Sequence, residues 1–296
     1  MLTIFSTPKP FEGHINIIQR NAIQSWLLLS SEIEVILIGD DPGTAEAARE
    51  FSIRHVKQVE RNGGGAKYLS SVFNQAQKLA RHEIVAYVNC DIILMSDFLI
   101  AARQVSLWGR KFLMVGRRWE IDMSEPWEFL SSDWEDRLRN HVLARGKRRT
   151  QHAIDYFVFP RGMYREIPPL VIGRFWWDHW LIWQARSTPV PVVDVTPKVL
   201  AVHQNHDYAY HPQGLHGVWY GHEAQANRQV AGGGRHLATL DEATHLLTNR
   251  GIKRNRFCWL APWRRRLVLF AIGMWYSALE TTKALRYALG LSRRRA

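Results

Sequence analysis

The first third of this 296-residue chain alternates segments of strand patterning with segments of helical patterning. Apolar runs predict strands at residues 2–6, 34–39, 53–56 and 84–88, and helical spacing of apolar residues predicts helices at 15–29, 45–51 and 69–80. Strands that alternate with helices favour a mostly parallel sheet with helices on both faces. The length suits one large α/β domain with an appendage.

The rest of the chain continues this alternation less regularly. Further strands are predicted at residues 112–115, 154–160, 190–195 and 199–202, and further helices at 99–105 and across the charged stretch 122–149. Residues 203–236 are rich in His, Gly and Tyr, and we expect them to form an ordered loop.

A polar turn ends the apolar run at residues 84–88. Asn89 and Asp91 lie two positions apart, so their side chains project to the same side if the strand continues. Ligands of open α/β sheets bind beyond the carboxyl ends of the strands. Carboxylate and amide oxygens suit Mg²⁺ or Mn²⁺, which often bridge to a substrate phosphate. Asp91 is therefore a candidate metal ligand; its alternative role is that of a helix cap or turn former.

Residues 202–208 release several metal-binding side chains at the end of a predicted strand. His203 follows the alternating strand pattern and is a candidate ligand for a divalent ion together with Asp91. A separate zinc site made by His203, His206 and Asp207 is an alternative, although neither a HExxH nor a Cys-x-x-Cys pattern accompanies it. A single histidine is more often structural, and the clustering here favours a ligand role.

One carboxylate lies inside an aromatic stretch at residues 172–181. Asp178 begins an apparent amphipathic helix and is surrounded by tryptophans in sequence. Desolvation favours the neutral form of a carboxylate and raises its pKa toward the range of a general base. Asp178 is thus the candidate catalytic base, and helix capping is the alternative.

A glycine-rich segment at residues 61–68 precedes a predicted helix. It offers flexible backbone, the cations of Arg61 and Lys67 and a helix N-terminus to a diphosphate. The segment is neither a Walker A loop nor a GxGxxG motif after a strand, and a flexible surface loop is the alternative.

The charge balance predicts attraction to polyanions. The formal net charge is +12, which suits phosphate-bearing substrates, anionic lipid or nucleic acid. We expect no nucleic-acid partner, because the sequence contains no recognised nucleic-acid module and much of the arginine excess lies in residues 253–295. Two distant cysteines argue for a reducing, cytoplasmic compartment, and no signal peptide is apparent.

The C-terminal composition predicts a separate tail. We divide the chain into a domain at residues 1–250 and a basic amphipathic helical extension at 251–296. The apolar run at 267–276 has about ten residues, roughly half of what a bilayer span needs. Flanking arginines and aromatic residues at 259–296 favour a helix lying on the inner membrane face, and a helix packed on the domain is the alternative.

Taken in chain order, these motifs resemble those of the GT-A glycosyltransferases, a nucleotide-sugar-dependent family with a Rossmann-like core. The resemblance covers roughly residues 1–210. The family's Asp-x-Asp motif is similar to residues 89–91, where the amide of Asn89 replaces the first acid. Its acidic motif before a helix resembles Trp177 and Asp178, and its C-terminal metal-binding histidine resembles His203.

The resemblance implies a nucleotide-diphosphate sugar held on Mn²⁺ or Mg²⁺ by Asp91 and His203, with Asp178 taking the acceptor proton in an inverting reaction. The implied nucleotide-sugar-binding residues are Thr7, Pro8, Arg20, Asp40, Arg61, Asn89 and Asp91. The implied acceptor-binding residues are Asp155 and Trp177. An amide is a weaker ligand than a carboxylate, so Asn89 can bind ribose or water instead of the metal.

The leading interpretation is a glycosyltransferase that moves a sugar to a glycan or lipid-linked acceptor, in polysaccharide biosynthesis at a membrane. One alternative is a nucleotidyltransferase acting on sugar phosphates. That class normally has a glycine-rich basic signature after the first strand, which residues 6–10 lack. The other alternative is a non-catalytic basic protein that binds membrane or nucleic acid.

Overall fold

The computed structural model of the chain describes residues 1–208, 211–261 and 263, and the chain divides into two compact units, Met1–Asn255 and Arg256–Ala296. The first unit contains the elements that follow. The strands are β1 (Leu2–Ser6), β2 (Glu34–Ile38), β3 (Arg54–Val56), β4 (Ile84–Val88), β5 (Ile92–Ile93), β6 (Leu113–Val115), β7 (Arg118–Ile121), β8 (Lys147–Arg148), β9 (Tyr156–Pro160), β10 (Val192–Asp194), β11 (Ala201–Gln204), β12 (His245–Thr248) and β13 (Gly251–Arg254). The helices are α1 (Gly13–Leu28), α2 (Thr44–Glu50), α3 (Leu69–Leu79), α4 (Ser96–Trp108), α5 (Trp134–Arg145), α6 (Trp177–Ser187), α7 (Gly214–Tyr220) and α8 (His222–Val230).

The predicted α/β architecture with a mostly parallel sheet is confirmed. Within the described residues, the main sheet has nine strands in the order β13-β12-β10-β6-β9-β4-β1-β2-β3. Strand β1 pairs parallel with β2 and β4, and β10 pairs parallel with β6 and β12. Strand β9 runs antiparallel to both β4 and β6. Because of that reversal, the start of β9 lies at the same sheet edge as the ends of β1 and β4.

Helices cover both faces of the main sheet because its strands alternate apolar side chains between the two faces. Ile4, Ala86 and Val158 belong to a core cluster that includes residues of α1 and α4. Phe5 and Tyr87, on the opposite face, belong to a second cluster that includes residues of α3 and α6. The sheet is therefore buried on both sides, and its polar groups concentrate at the strand ends.

The second cluster is organised around an aromatic ring on α3. The ring of Phe73 is fully buried and lies 5.1 Å from that of Phe5, 5.4 Å from that of Tyr87 and 5.7 Å from that of Phe159. We expect Phe73→Ala to lower the free energy of unfolding by about 3–5 kcal/mol, since it leaves a cavity under the sheet. Urea denaturation measures this loss.

Leu79 at the exposed end of the same helix supplies the matched control. Leu79→Ala should change the free energy of unfolding by about 0.5 kcal/mol or less. Equal effects of the two substitutions would show that Phe73 does not contribute to the core as described.

A smaller sheet lies next to the carboxyl end of β4. Its order is β5-β11-β7-β8 among the described residues. Strand β11 pairs antiparallel with β5, so that His203 faces Ile92 across the ladder. Since Ile92 directly follows Asp91 in the chain, this register brings the two predicted metal ligands together from positions more than 100 residues apart.

Several predicted elements differ from the observed ones. Residues 203–236, predicted as loop, contain α7 and α8. The stretch 122–149, predicted as largely helical, is helical only over Trp134–Arg145 among its described elements, with β8 at its end. Both helices are short, at 7 and 9 residues, and α7 contains two glycines, so their sequences have a weak helical pattern.

The predicted tail falls mostly outside the described residues. Residues 251–254, placed in the tail by the sequence pattern, form β13 and pair with β12, so the first unit extends to Asn255. The amphipathic helix predicted within 259–296 lies outside the described residues apart from 259–261 and 263. Among the helices described, none is long and apolar enough to cross a bilayer.

Candidate active site

Three metal-binding side chains converge at the carboxyl end of β4. Asp91 follows β4, His203 lies on β11 and His206 follows β11. One ligand atom from each lies within 4.8 Å of the others. The Asp91 Oδ2 atom is 3.2 Å from His206 Nε2 and 3.9 Å from His203 Nε2. The predicted pair Asp91 and His203 is thus brought together, and His206 joins it as a third candidate ligand.

The chemistry of this group fits a divalent cation. Asp91 Oδ1 and His203 Nδ1 are buried and have no hydrogen-bond partner among the described residues. Burial lowers the pKa of His203 to about 4, although Asp91 opposes the shift, so this imidazole is neutral near pH 7. A neutral imidazole and a carboxylate are ligands that Mn²⁺ accepts. Asp91, His203 and His206 are the residues that would hold the ion.

Asp91 remains ionised despite its burial. Burial by itself raises the pKa of Asp91, but His203, the hydrogen bond with His206 and the Lys9 ammonium together hold this pKa well below its ordinary value of 3.8. An ionised carboxylate in a site with little water attracts cations more strongly than an exposed one. The site is therefore ready to bind positive charge at neutral pH.

The Lys9 ammonium shares this site. Lys9 Nζ lies 2.9 Å from His206 Nε2 and 3.7 Å from Asp91 Oδ2. Reciprocal hydrogen bonds between the Gln19 side chain and the Lys9 backbone, 2.7 and 2.9 Å long, fix the loop after β1. Lys9 was not among the predicted site residues. The signal for it in the sequence was its position in the loop after β1, two residues after the predicted site residue Thr7.

Because two cations repel each other, Lys9→Met should strengthen Mn²⁺ binding in the absence of nucleotide. Two unit charges 4 Å apart interact by about 4 kcal/mol at an effective dielectric constant of about 20, so a tenfold lower Kd is a conservative expectation. Isothermal titration calorimetry measures the Kd. The control is Lys78→Met, which removes an exposed lysine from α3. Equal Mn²⁺ affinity of the two variants would show that the Lys9 ammonium does not lie close enough to the metal to repel it.

The metal-binding group opens into a cleft of about 990 Å³. Most of the predicted site residues line this cleft: Thr7, Pro8, Arg61, Asn89, Asp91, Asp155, Trp177, Asp178 and His203. The cleft lies at the carboxyl ends of β1 and β4, where ligands of α/β sheets are expected. Residues predicted from separate stretches of sequence therefore share one cavity.

Two predicted residues are placed elsewhere. Arg20 pairs with Glu50 of α2 at 2.5 Å and with Asn16 at 2.8 Å, and it does not line the cleft. Asp40 also lies outside the cleft, where Arg61 holds it at 2.5 Å and keeps its pKa below its ordinary value. Asp41, the next residue, lines the cleft instead. Arg20 and Asp40 thus lie apart from the other predicted site residues, and their role in nucleotide binding stays a prediction.

The cations of the glycine-rich segment are held by acidic partners. Lys67 forms an ion pair with Asp41 and donates a 2.7 Å hydrogen bond to the carbonyl of Pro8. Arg61 contacts Asp41 Oδ2 at 3.2 Å and donates to the Gly65 carbonyl at 2.8 Å. These contacts make the segment an ordered wall of the cleft rather than a free surface loop.

Asn89 and Asp155 belong to one hydrogen-bonded group. The Asn89 amide donates to Asp155 Oδ1 at 2.6 Å, and Arg118 Nη1 donates to Asp155 Oδ2 at 2.7 Å. Burial opposes the charge of Arg118, but Asp155 and Glu120 hold its pKa above the ordinary value. Both Asp155 oxygens are thus occupied, and Arg118, which the sequence did not indicate, places a positive charge in the cleft.

Asp178 lies in the first turn of α6, at the wall of the cleft. Burial raises its pKa above the ordinary value of 3.8, and its Oδ1 atom has no hydrogen-bond partner among the described residues. Trp176, just before the helix, has a φ of +98°, a strained value for a residue with a side chain. The N-cap residue Trp176 forms no side-chain capping bond, whereas backbone N–H groups of the first turn partly offset the rise in the pKa of Asp178. The buried Oδ1 atom without a partner favours the base role.

Trp177 contributes mainly to packing. Its ring lies 5.3 Å from that of Tyr87 and 5.7 Å from that of Phe157, and its side chain is almost fully buried. It lines the cleft and fixes the start of α6 against the sheet. Its packing therefore positions the neighbouring Asp178.

No known protein family and no curated protein matches this chain. Among solved structures, the chain is similar to the mannosyltransferase PcManGT from Pyrobaculum calidifontis in complex with GDP-Man and Mn²⁺, at 15% identity and a TM-score of 0.43, covering 68% of this chain and 56% of that one. It is also similar to glucosyl-3-phosphoglycerate synthase from Mycobacterium tuberculosis in complex with Mn²⁺, UDP and glucosyl-3-phosphoglycerate. The identity is 13% and the TM-score 0.44, and the match covers 70% of this chain and 72% of the synthase chain. For the structure of S. aureus TarS 1–349, the identity is 14% and the TM-score is 0.33. That match covers 41% of this chain and 36% of the TarS chain. The chain thus spans about a third of the TarS 1–349 structure and just over half of the mannosyltransferase.

Proposed function

We propose that this protein is a glycosyltransferase that moves a sugar from a nucleotide-diphosphate donor to a hydroxyl acceptor with the help of Mn²⁺ or Mg²⁺. One observation carries the proposal: a candidate cation site of Asp91, His203 and His206 and the buried carboxylate of Asp178 belong to the same cleft. Sugar transfer needs positive charge at the departing diphosphate and a base at the acceptor hydroxyl. This cleft offers groups suited to both tasks.

The residues of the cleft divide the reaction between them. A bound divalent cation neutralises charge on the diphosphate leaving group. Asp178 takes the proton of the acceptor hydroxyl, and the acceptor oxygen forms the bond to the anomeric carbon. The electron pair of the broken carbon–oxygen bond leaves with the diphosphate. Lys9 and Arg118 also line the cleft, where the Arg118 guanidinium is paired with Asp155 and Glu120.

Thr7 and Pro8 form the donor-binding wall together with the ordered segment at residues 61–67. The Lys67 ammonium holds the carbonyl of Pro8, which fixes the turn after β1. Arg61 and Asp41 face the same cleft from the neighbouring strand ends. We assign this side to the nucleotide, because backbone and fixed charges of this kind orient a diphosphate without large rearrangement.

The raised pKa of Asp178 predicts the acid side of the pH profile. A base works in its ionised form, so the rate should fall as the pH drops through the raised pKa, above the ordinary value of 3.8. Measuring kcat with saturating donor and acceptor over the pH range in which the protein stays folded checks this. A rate that stays constant down to pH 3.8 in a folded protein would rule out Asp178 as the base.

A thermal-shift screen tests the function itself. UDP-, GDP-, dTDP- and CDP-sugars are each added with Mn²⁺ and again with excess EDTA. A donor that binds only the native state and is present at a concentration of about 100 times its Kd stabilises the protein by about 2.7 kcal/mol. We expect at least one nucleotide class to raise the melting temperature with Mn²⁺ and to be hydrolysed slowly to the free sugar. No stabilisation by any nucleotide, with or without metal, would contradict the proposal.

We further propose a glycan or lipid-linked acceptor and peripheral membrane contact through residues 259–296, supported by the arginine-flanked apolar run in that sequence. Replacing Arg264, Arg265 and Arg266 with glutamine should reduce cosedimentation with vesicles that contain phosphatidylglycerol. Donor hydrolysis should remain unchanged in this variant. Equal sedimentation of variant and wild type would refute the membrane contact and leave the transferase proposal intact.

A further inference from the structure

Two stacked aromatic rings form an exposed shelf in the cleft. The rings of Phe175 and Trp219 lie 4.8 Å apart with an interplanar angle of 24°. Both residues line the cleft that contains Asp178, and Trp219 on α7 is 37% exposed. Pockets that bind small ligands are typically lined by aromatic side chains of this kind. Neither the candidate metal site nor Asp178 involves these two rings.

Backbone hydrogen bonds with residues of α7 and α8 hold the shelf in place. Phe175 N donates to the Val218 carbonyl at 3.1 Å, and the Asn227 amide donates to the Phe175 carbonyl at 3.1 Å. Asn227 is fully buried and also bonds both backbone polar groups of Val171, at 2.8 and 2.9 Å. Backbone contacts therefore fix the position of the ring pair, so little conformational freedom is lost when a ligand stacks on it.

The helical pair α7 and α8 is also fastened to the glycine-rich wall of the cleft. Glu223 accepts hydrogen bonds of 2.6 Å from both Arg174 Nε and Asn62 Nδ2. A Cβ atom at Gly64 would lie 2.7 Å from Glu223 Oε1, so glycine permits this close approach. The shelf thus belongs to a built wall of the cleft.

The shelf lies close to the candidate base. The Phe175 ring is 5.2 Å from the ring of His179, and His179 Nε2 is 3.9 Å from Asp178 Oδ2. One imidazole therefore separates the aromatic shelf from the carboxylate. A ring bound against the shelf would therefore lie in the same cleft as Asp178.

We infer that Phe175 and Trp219 form the acceptor subsite and that the acceptor is a sugar, with the C–H face of a pyranose ring stacked on Trp219. This inference rests on the proposed transferase function. Aromatic faces are electron-rich and apolar, which suits the C–H face of a sugar, and the sugar's hydroxyl edge remains free to approach Asp178. Trp177, implied as an acceptor contact by the family resemblance, also lines the cleft but is almost fully buried, so Trp219 offers the more exposed aromatic face.

The test uses saturation-transfer NMR with methyl β-D-glucopyranoside, methyl β-D-galactopyranoside, methyl α-D-mannopyranoside and methyl N-acetyl-β-D-glucosaminide as probes. With wild-type protein, we expect saturation of the C–H protons on one ring face for at least one probe. Trp219→Ala should weaken binding of that probe at least tenfold, and Trp219→Phe should retain it. The matched control is Tyr220→Ala, an exposed aromatic residue on α7 that does not line the cleft.

The outcomes separate this inference from the proposed function. Binding of UDP and GDP with Mn²⁺ is measured in the same variants, and it should not change. No probe binding to wild type, or undiminished probe binding to Trp219→Ala, would overturn the acceptor subsite while nucleotide binding still supports the transferase. A large loss of nucleotide affinity in Trp219→Ala would assign the shelf to the nucleobase and would also overturn the inference. Absence of nucleotide binding in wild type would contradict the proposed function itself.

Discussion

Asp91→Asn should weaken Mn²⁺ binding at least 100-fold and abolish the metal-dependent part of nucleotide binding. Asp91 is the charged member of the group that also contains His203 and His206. The substitution keeps the shape of the side chain but removes the charge that attracts the cation. It also leaves the Lys9 ammonium, 3.7 Å from Asp91 Oδ2, to repel an incoming metal without a counter-charge. A factor of 100 corresponds to about 2.7 kcal/mol, which is modest for a charge interaction at partial burial.

Calorimetric titration with Mn²⁺, followed by titration with nucleotide in its presence, measures both effects. Asp136→Asn is the control, because Asp136 is exposed on α5 and does not line the cleft. The pKa of Asp91 is lowered in the fold, so its ionised form stabilises the protein above pH 3.8 and the asparagine variant loses part of that stability. If that loss prevents folding, His203→Ala serves as the second variant, and it should weaken Mn²⁺ binding about 10-fold or more. Unchanged metal affinity in either folded variant would contradict the proposed ligand set.

Asp178→Asn should reduce sugar transfer by about 100- to 10,000-fold, the range attributed to a positioned general base. Donor affinity should stay within about twofold of wild type, since the proposed donor contacts come from other residues. Single-turnover transfer and calorimetric nucleotide binding separate these two effects. Comparable losses of transfer and donor binding would show that Asp178 holds the donor rather than the acceptor proton.

The same substitution should stabilise the protein at neutral pH. A carboxyl group whose pKa is raised by burial favours folding below its unfolded pKa, and this contribution is lost as the pH rises through the folded pKa. Asparagine has no such loss. The melting temperature of Asp178→Asn should therefore exceed that of wild type at pH 7, and the difference should shrink as the pH falls toward 3.8. A destabilised variant at pH 7 would indicate that Asp178 serves as a structural cap.

The main sheet was predictable because its information is local. Strands β1 and β4 were predicted at their observed bounds, and α1, α2 and α3 lie within one or two residues of their predicted ends. Each element combines a clear apolar period with a breaker at its end, and parallel strands connected through helices place their carboxyl ends together. The location of the cleft followed from that geometry before any contact was known.

The smaller sheet was not predictable, because its strands are defined by pairing with one another and not by an apolar pattern in the sequence. Strands β5 and β8 contain two residues each, too few to show a period. The direction of β9 is also set by its neighbours, since an antiparallel strand has the same apolar alternation as a parallel one. Helices α7 and α8 are too short to show a clear apolar period, and tertiary contacts such as those of Asn227 on α8 hold them in place.

The site shows the same division between local and tertiary information. Asp91, Asp178 and His203 were identifiable because polar groups at the ends of apolar segments stand out in sequence. The sequence pattern around Lys9 and Arg118 is that of ordinary surface residues. They line the cleft only because the fold brings the ends of separate strands together. The placement of Arg20 outside the cleft has a similar cause, because its side chain pairs with Glu50 of α2.

Pulsed electron paramagnetic resonance of bound Mn²⁺ tests the central claim, that side chains from the turn after β4, from β11 and from the segment after β11 hold one divalent cation. With nucleotide present, the account predicts one Mn²⁺ per chain with nitrogen couplings from directly coordinated histidine. Those couplings should diminish in His203→Ala and in His206→Ala. A bound ion with oxygen ligands alone, or no bound ion at saturating nucleotide, would contradict the account.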